Sequence, residues 1–302
     1  MTDQPYLSYL YLYAAHTKRK IGDLVKNKCI DEEFARIKEI FRSWEEATES
    51  LRQIETEDTA AVQSCETSEI SSGLVDAIKL NPSITNTFSK YVYDFKMVEI
   101  DNMIAVQRQV LLDFVDELSK KISKNLSEDE LLKFCLIPEK QVPLPKLSPM
   151  SSNSWYYSSP SADFRFLGGF AKNEITREDI QLTKVSGFPT NAIILFVGYG
   201  AGCMHAYSVN GRMVLMNGFH RAYALRRKGI KKIPLLVRKI GNADLEFPSE
   251  IQDLKKDYLL KHPRPILLKD FFNEDLVRVF KKKKVTTILK VNWDSETLSI
   301  DL

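Results

Sequence analysis

The residues best suited to chemistry form one short run, NGFHR, at positions 217–221. An apolar segment of strand length precedes the run and a helical pattern follows it, so we expect a strand that turns directly into a helix. The first turn of a helix offers free backbone N–H groups and the positive end of the helix dipole. Gly218 would let a ligand approach the backbone, while His220 and Arg221 would add donors at the same end. The run therefore predicts an anion pocket, and phosphate is its natural occupant.

Each of these residues also has an ordinary structural interpretation. Gly218 can serve a turn alone, Arg221 can pair with a carboxylate, and His220 can be a buried imidazole with a satisfied hydrogen bond. The sequence by itself leaves both interpretations open.

The elements around the run have clear local signals. Asn210-Gly211 lies between two apolar segments, and this pair accepts positive φ at both positions, which predicts a β-hairpin. A helix is expected over residues 219–228, followed by Gly229 at its C-terminal end. A further strand is expected over residues 233–240, with Pro234 at its start.

Strand, N-G-x-H-R, helix, glycine and strand in this order resemble the signature of the ParB/sulfiredoxin-like fold. The matching residues are Asn217, Gly218, His220, Arg221, Ala224, Leu225, Gly229, Ile233 and Pro234. Members of this family include nucleotide-dependent DNA partition proteins, sulfiredoxins and free-serine kinases, and they bind a nucleotide phosphate at this helix start. The resemblance implies that ATP or a related nucleotide binds here with Mg²⁺, in contact with Asn217, Gly218, Phe219 and Arg221.

Departures from the family pattern narrow the expected activity. Asn217 stands where the kinases have Asp, and Phe219 where they have a second His. The reactive cysteine of sulfiredoxins is absent beside the motif, and neither an arginine-rich motif nor a helix-turn-helix follows. We therefore expect neither sulfinic-acid reduction nor chromosome partition.

Further site residues follow from the same resemblance. The glycine-rich loop 198–202 lies close to the ligand in the resembled fold, so Gly200 and Gly202 are expected ligand contacts. His220 is the expected catalytic group, acting by hydrogen bonding or proton transfer. Asp163 is one candidate for the carboxylate that Asn217 cannot supply, although its spacing from Arg165 favours a structural ion pair. Glu174 and Asp179 are the preferred candidates, because the kinases place a glutamate on the equivalent early segment.

Two other kinds of site are less favoured by the sequence. Cys203, His205 and His220 could ligate a metal, but their spacing favours a buried thiol and ordinary histidines, so no metal site is predicted. The basic segment 221–239 and the lysines at 281–284 could contact nucleic acid. Solvated charged faces are the preferred interpretation, since the net charge is only +3.

The remaining chain predicts an α+β protein of two domains. Helices are expected over residues 6–27, 31–55 and 98–122. They would form an N-terminal helical domain over 1–135, with a flexible segment at 56–73 and a surface for a protein partner. A Pro/Ser-rich crossing is expected over 136–157, and a ParB/sulfiredoxin-like mixed α/β domain over 158–302. Ala192-Ile-Ile-Leu-Phe-Val197 is predicted as a buried strand in the second domain.

Composition excludes several classes of protein. The 302 residues are 44% hydrophobic and 27% charged, as in ordinary globular proteins. No apolar run approaches the length of a membrane span, and the N-terminus lacks the order of a secretory signal. The four cysteines are widely spaced, which indicates reduced thiols and a cytoplasmic protein. Two hypotheses remain: ATP-dependent phosphoryl transfer to a small molecule, or a non-catalytic module that senses a nucleotide or binds nucleic acid or protein.

Overall fold

The computed structural model describes residues 5–59, 62, 65–71, 73–123, 126–137, 143–151, 153–161, 163–176, 187–200 and 202–298. It contains both helices and sheets, so the fold class is α+β. The chain divides into two units. The first consists of Met1–Glu139 and Gly202–Lys284, and the second of Lys140–Ala201 and Val285–Leu302. The sequence of the second unit therefore interrupts that of the first.

The strands are β1 (Tyr6–Tyr11), β2 (Thr67–Ser68), β3 (Tyr93–Glu99), β4 (Ile104–Ala105), β5 (Gln109–Leu111), β6 (Lys146–Ser151), β7 (Ser154–Ser159), β8 (Phe164–Asn173), β9 (Asn191–Tyr199), β10 (His205–Val209), β11 (Arg212–Asn217), β12 (Lys232–Lys239), β13 (Glu250–Ile251), β14 (Leu254–Lys255), β15 (Arg278–Lys283) and β16 (Thr287–Asn292). The α-helices are α1 (Lys18–Lys28), α2 (Asp31–Ala35), α3 (Ile37–Glu57), α4 (Leu74–Lys79), α5 (Pro82–Phe88), α6 (Leu112–Lys120), α7 (Glu128–Leu136), α8 (Phe219–Arg227), α9 (Ala243–Glu246) and α10 (Lys256–Lys261). Short 3₁₀ helices cover Tyr13–Ala15 and Leu268–Phe272.

A six-stranded mixed sheet organises the first unit, in the order β2-β3-β12-β10-β11-β4. β12 is antiparallel to β3 and parallel to β10, and β10 and β11 form an antiparallel hairpin. β3 and β4 come from the N-terminal part of the chain, so residues 1–135 do not form a helical domain by themselves. The expected domain over 158–302 is likewise divided between the two units.

Two of the predicted N-terminal helices are wrong over their first parts. Residues 6–11 form β1, the middle strand of the sheet β15-β1-β5, and a helix begins only at Lys18. The three tyrosines of β1 favour strand over helix, which explains why this segment is a strand. Most of residues 98–111 lie in strands and turns, and only Leu112–Lys120 is helical. Here β-branched residues such as Ile104 and Val110 favour strands despite their helix-like spacing.

The local signals around the candidate pocket are confirmed. Asn210 and Gly211 have φ of 50° and 74°, and they connect β10 to β11. α8 ends at Arg227, and Gly229 has φ of 87° and donates its N–H to the Arg226 carbonyl. A buried β12 then follows as expected.

The second unit consists of ribbons and a small sheet. β6, β7 and β16 form an antiparallel sheet in the order β16-β7-β6, so the predicted crossing at 136–157 contains β6 and most of β7. β8 and β9 form an antiparallel two-stranded ribbon. The predicted strand at residues 192–197 is therefore confirmed, but its predicted burial is wrong, because Ile193 is 79% exposed.

The structure also bears on membrane-spanning helices and on the cysteines, which the composition had addressed. No helix among the described residues is long and apolar enough to cross a membrane. All four cysteines are free: Cys29, Cys135 and Cys203 are buried, and Cys65 is half-buried.

Candidate functional site

The scaffold of the candidate site is the junction between β11 and α8. Three consecutive residues of β11 are buried, and α8 buries Phe219 and Ala222 against the same core. Phe219 is only 3% exposed. Its side chain is thus a core residue, and only its backbone N–H could meet a ligand.

Gly218 is the residue through which the chain turns from β11 into α8. Its φ of 103° lies in the left-handed region, which favours glycine. A Cβ atom at this position would lie 2.9 Å from Cε of Met204, whose side chain is fully buried. The space beside the Gly218 Cα is thus filled by Met204, so packing as well as conformation requires glycine.

Arg221 binds three backbone carbonyl groups. Its Nη1 donates to the carbonyls of Phe134 at 3.1 Å and Cys135 at 2.8 Å, and its Nη2 donates to that of Gly202. Phe134 and Cys135 lie in the last turn of α7, where carbonyls lack helical partners and the dipole is negative. The guanidinium therefore caps α7 and holds the Gly202 backbone.

This geometry changes the interpretation of Arg221. Its partners are carbonyl oxygens, so the carboxylate pairing considered from the sequence is wrong, and the Nη donors are engaged without a ligand. Burial lowers the pKa of Arg221, while the nearby Cys135 and Cys203 thiols oppose that shift. An arginine remains protonated in spite of such a shift, so the charge stays at the start of α8.

Asn217 and the 202–204 segment complete the junction. Asn217 Nδ2 donates to the Cys203 carbonyl at 2.8 Å, and Met204 N–H donates to the Cys135 carbonyl at 2.9 Å. The structure thus brings Asn217, Arg221 and Gly202 together. It adds the end of α7, which sequence reasoning missed, since nothing in its local pattern links it to residue 221.

His220 is the first polar side chain of α8. Its ring packs edge-on against Phe114, with the centroids 5.5 Å apart. Burial, reinforced by the charge of Arg221, lowers the His220 pKa to about 4. The imidazole is therefore neutral at pH 7, a state that can donate or accept one hydrogen bond but is a weak proton acceptor. Among the described residues, neither ring nitrogen has a hydrogen-bond partner.

The N-terminus of α8 is uncapped. The first helical hydrogen bond is from Ala222 N–H to the Gly218 carbonyl, at 2.9 Å. No side chain caps this end, and no acidic residue lies in its first turn. Within the described chain, the N–H groups of Phe219, His220 and Arg221 have no acceptor, so they form the positive helix end that an anion prefers.

The structure does not test the predicted catalytic carboxylates. Glu174 is an exposed residue of the second unit with φ of 57°, and Asp179 lies outside the described residues. Asp163 accepts the Gly200 N–H at 3.2 Å and forms an ion pair with Arg165 at 3.8 Å. The structural interpretation of Asp163 is thus confirmed, and the Gly200 N–H already has an acceptor. Within the described part of the first unit, no carboxylate contacts positions 218–221.

The other candidate sites have structural explanations. Burial raises the pKa of the Cys203 thiol to about 12, and His205 packs edge-on against Phe88 with centroids 5.1 Å apart. No group of three metal-ligating side chains occurs in the described residues. A cavity of about 160 Å³ lies in the first unit, but its lining includes Glu69 and Lys96 and none of the predicted site residues.

Acids neutralise much of the basic segment 221–239. The ion pairs are Arg226–Asp101 at 2.6 Å, Arg227–Asp116 at 2.6 Å, Lys232–Glu66 at 2.8 Å, Arg238–Glu246 at 3.5 Å and Lys239–Asp94 at 2.7 Å. This pairing favours a charged structural face over a nucleic-acid footprint.

Comparisons of the chain with protein-family models, with curated proteins and with solved structures gave no match. The ParB/sulfiredoxin-like resemblance of residues 213–240 therefore remains a prediction from the sequence.

Proposed function

We propose that this chain binds the phosphate group of a small nucleotide at the start of α8 and does not transfer it. The observation that carries the proposal is the uncapped helix end, where three N–H groups lack an acceptor among the described residues. A positive helix end with free donors is a ready site for phosphate. The nucleotide class comes from the sequence resemblance, and Mg²⁺ would accompany the nucleotide through its phosphates.

The charge at this helix end supports an anionic ligand. Arg221 is bound by carbonyl oxygens rather than by a carboxylate, so no fixed negative charge among the described residues cancels it. Because the guanidinium is held by the backbone, it would act on a phosphate through its field rather than by moving to it. The neutral His220 ring would supply a hydrogen bond.

Phosphoryl transfer has less support than binding. A general base works best with a pKa near the working pH, and the pKa of His220 is about 4. Nor does a described carboxylate of the first unit contact residues 218–221. The non-catalytic alternative is therefore the function that the geometry supports better.

The proposal can be tested with a matched pair of variants at His220. His220→Asp places a carboxylate in the first turn of α8, where the helix dipole favours it and burial opposes it. The melting temperature of the unliganded variant checks that it is folded. That carboxylate should repel a phosphate and weaken nucleotide binding about tenfold or more, equivalent to about 1.4 kcal/mol. The Asn side chain has nearly the same shape as that of Asp but carries no charge. His220→Asn should therefore retain most of the affinity for the nucleotide.

Binding is measured by calorimetry and by the shift in melting temperature with ATP, ADP, AMP and inorganic phosphate, each with and without Mg²⁺. Equal affinity in the Asp and Asn variants would place the ligand elsewhere. Consumption of ATP by the wild type with any hydroxyl-bearing acceptor would contradict the absence of transfer. Failure of every phosphate compound to bind would reject the function altogether.

A further inference from the structure

The β8–β9 ribbon of the second unit has unusual surface chemistry. Its two strands pair in antiparallel register from Phe164↔Tyr199 to Asn173↔Asn191. Within the described residues, this sheet has only these two strands, so each strand has one outer edge without a β partner. Two-stranded ribbons of this kind are marginally stable in water.

The ribbon also exposes large apolar side chains. Those at least 42% exposed are Phe166, Leu167, Phe170, Ile193, Leu195 and Phe196. Single exposed apolar residues are common, but a cluster of this size on one hairpin marks an interaction surface. The continuous apolar run of β9 is also typical of a strand that is covered by protein.

The two outer edges of the ribbon differ. β8 carries Arg165 and Lys172 and has an irregular register near Gly168, whose φ is 145°. Charges and bulges are the devices that protect a free edge from pairing. The sequence of β9, NAIILFVGY, has neither a charge nor a proline, and its register is regular except opposite Gly168. Its edge is therefore unprotected.

We infer that the outer edge of β9 pairs with the same edge of a second copy of this chain. Antiparallel pairing about a two-fold axis at Leu195 would join two ribbons into a four-stranded sheet, a form of strand addition. It would satisfy backbone groups at both edges. It would also place apolar side chains of the second copy beside those of β9 on both faces of the sheet.

The charges and the register favour a second copy as the occupant. With the axis at Leu195, Ile193 faces Val197 of the second copy and Ile194 faces Phe196, so every central pair is apolar and no like charges meet. Self-pairing of β8 about its midpoint would instead set Arg165 opposite Lys172. Like charges directly opposite each other destabilise a strand pair, which selects the β9 edge.

The first experiment measures the mass of the full chain in solution by light scattering and by sedimentation over a wide range of concentrations. The wild type should have twice the mass of one chain. Leu195→Lys places two ammonium groups at the two-fold axis and should give a monomer. Leu167→Lys makes a matched change at a similarly exposed position on β8 and should leave the dimer intact. Circular dichroism checks that both variants are folded.

A second experiment tests the register. Ile193→Lys should weaken the dimer, because it sets a charge opposite Val197 of the second copy. Adding Val197→Glu to the same chain places opposite charges across both symmetric pairs and should restore the dimer. A general apolar association would not show this rescue.

The outcomes are decisive in each case. A monomeric wild type at every concentration would overturn the inference and leave the β9 edge to a different protein. Dissociation by Leu167→Lys as well as Leu195→Lys, or the absence of rescue by the double variant, would overturn the β9 pairing. None of these measurements involves a nucleotide, so they stand apart from the proposed phosphate binding.

Discussion

β12 and β9 are both strands with long apolar runs, yet one is buried and the other is exposed. β12 lies between β3 and β10 in the first unit, and its Ile233, Leu235 and Leu236 are fully buried. β9 belongs to a two-stranded ribbon in the second unit, and its Ile193 and Phe196 are 79% and 52% exposed. An apolar run thus predicts that a strand is covered, but the cover need not come from the same chain.

The two units also treat polar groups differently. In the first unit, Arg264 is 1% exposed and forms a bidentate ion pair with Asp270 at 2.6 and 2.8 Å. In the second unit, the ion pair between Asp163 and Arg165 is 3.8 Å long and largely exposed. Buried pairs hold their neighbours in one arrangement, whereas exposed pairs contribute little. We therefore expect the first unit to be the more sensitive to substitution.

The largest difference in the free energy of unfolding should appear when a leucine is replaced by alanine in each unit. Leu236→Ala in β12 removes a fully buried side chain and should lower the free energy of unfolding by about 2–5 kcal/mol. Leu167→Ala in β8 removes a side chain that is 52% exposed and should change it by about 0.5 kcal/mol or less. Urea unfolding followed by circular dichroism measures both. Similar losses in the two variants would break the comparison between the units.

A smaller effect is expected from a second matched pair, Arg221→Ala and Arg165→Ala. Removing the Arg221 guanidinium leaves three carbonyl groups without their charged donor and should lower the free energy of unfolding by about 1.5–3 kcal/mol. Arg165→Ala removes only an exposed pair and should be nearly neutral. Differential scanning calorimetry of the unliganded proteins gives the comparison. An unchanged melting temperature in Arg221→Ala would contradict this structural role and favour Arg221 as a phosphate ligand.

The local parts of this fold were predictable from the sequence, because their signals lie within a few residues. Asn210-Gly211 and Gly229 specify backbone conformations that few other residues adopt, so the hairpin and the end of α8 follow directly. The strand-to-helix junction at Gly218 was predictable for the same reason.

Other features depend on residues far apart in sequence. Tyr6 pairs with Lys283 in the β1–β15 register, and Arg221 binds a carbonyl 86 positions away. Apolar spacing alone did not reveal that residues 6–11 form a strand, since their partner strand lies near the other end of the described chain. The role of Arg221 could not be predicted either, because every residue has a backbone carbonyl and the sequence does not show which one accepts the hydrogen bond.

The smallest predicted effect is a change of the free energy of unfolding with pH. It should arise in the first unit, because all four histidines belong to that unit. Burial, together with the charges of Arg221 and Arg238, lowers the pKa of His205 from 6.5 to about 4, although a hydrogen bond with the Cys203 carbonyl opposes the shift. The unfolded chain therefore binds the proton more readily, so stability is complete above pH 6.5 and falls as the pH approaches 4. At pH 5 the loss due to this one residue is on the order of 1–2 kcal/mol.

The variant His205→Gln lacks the titrating group. The free energy of unfolding of this variant should therefore change less between pH 7.5 and pH 5 than that of the wild type. Taking the difference between two proteins cancels the other titrating groups. If both proteins lose stability equally over this range, His205 is not the buried neutral group that its packing against Phe88 indicates.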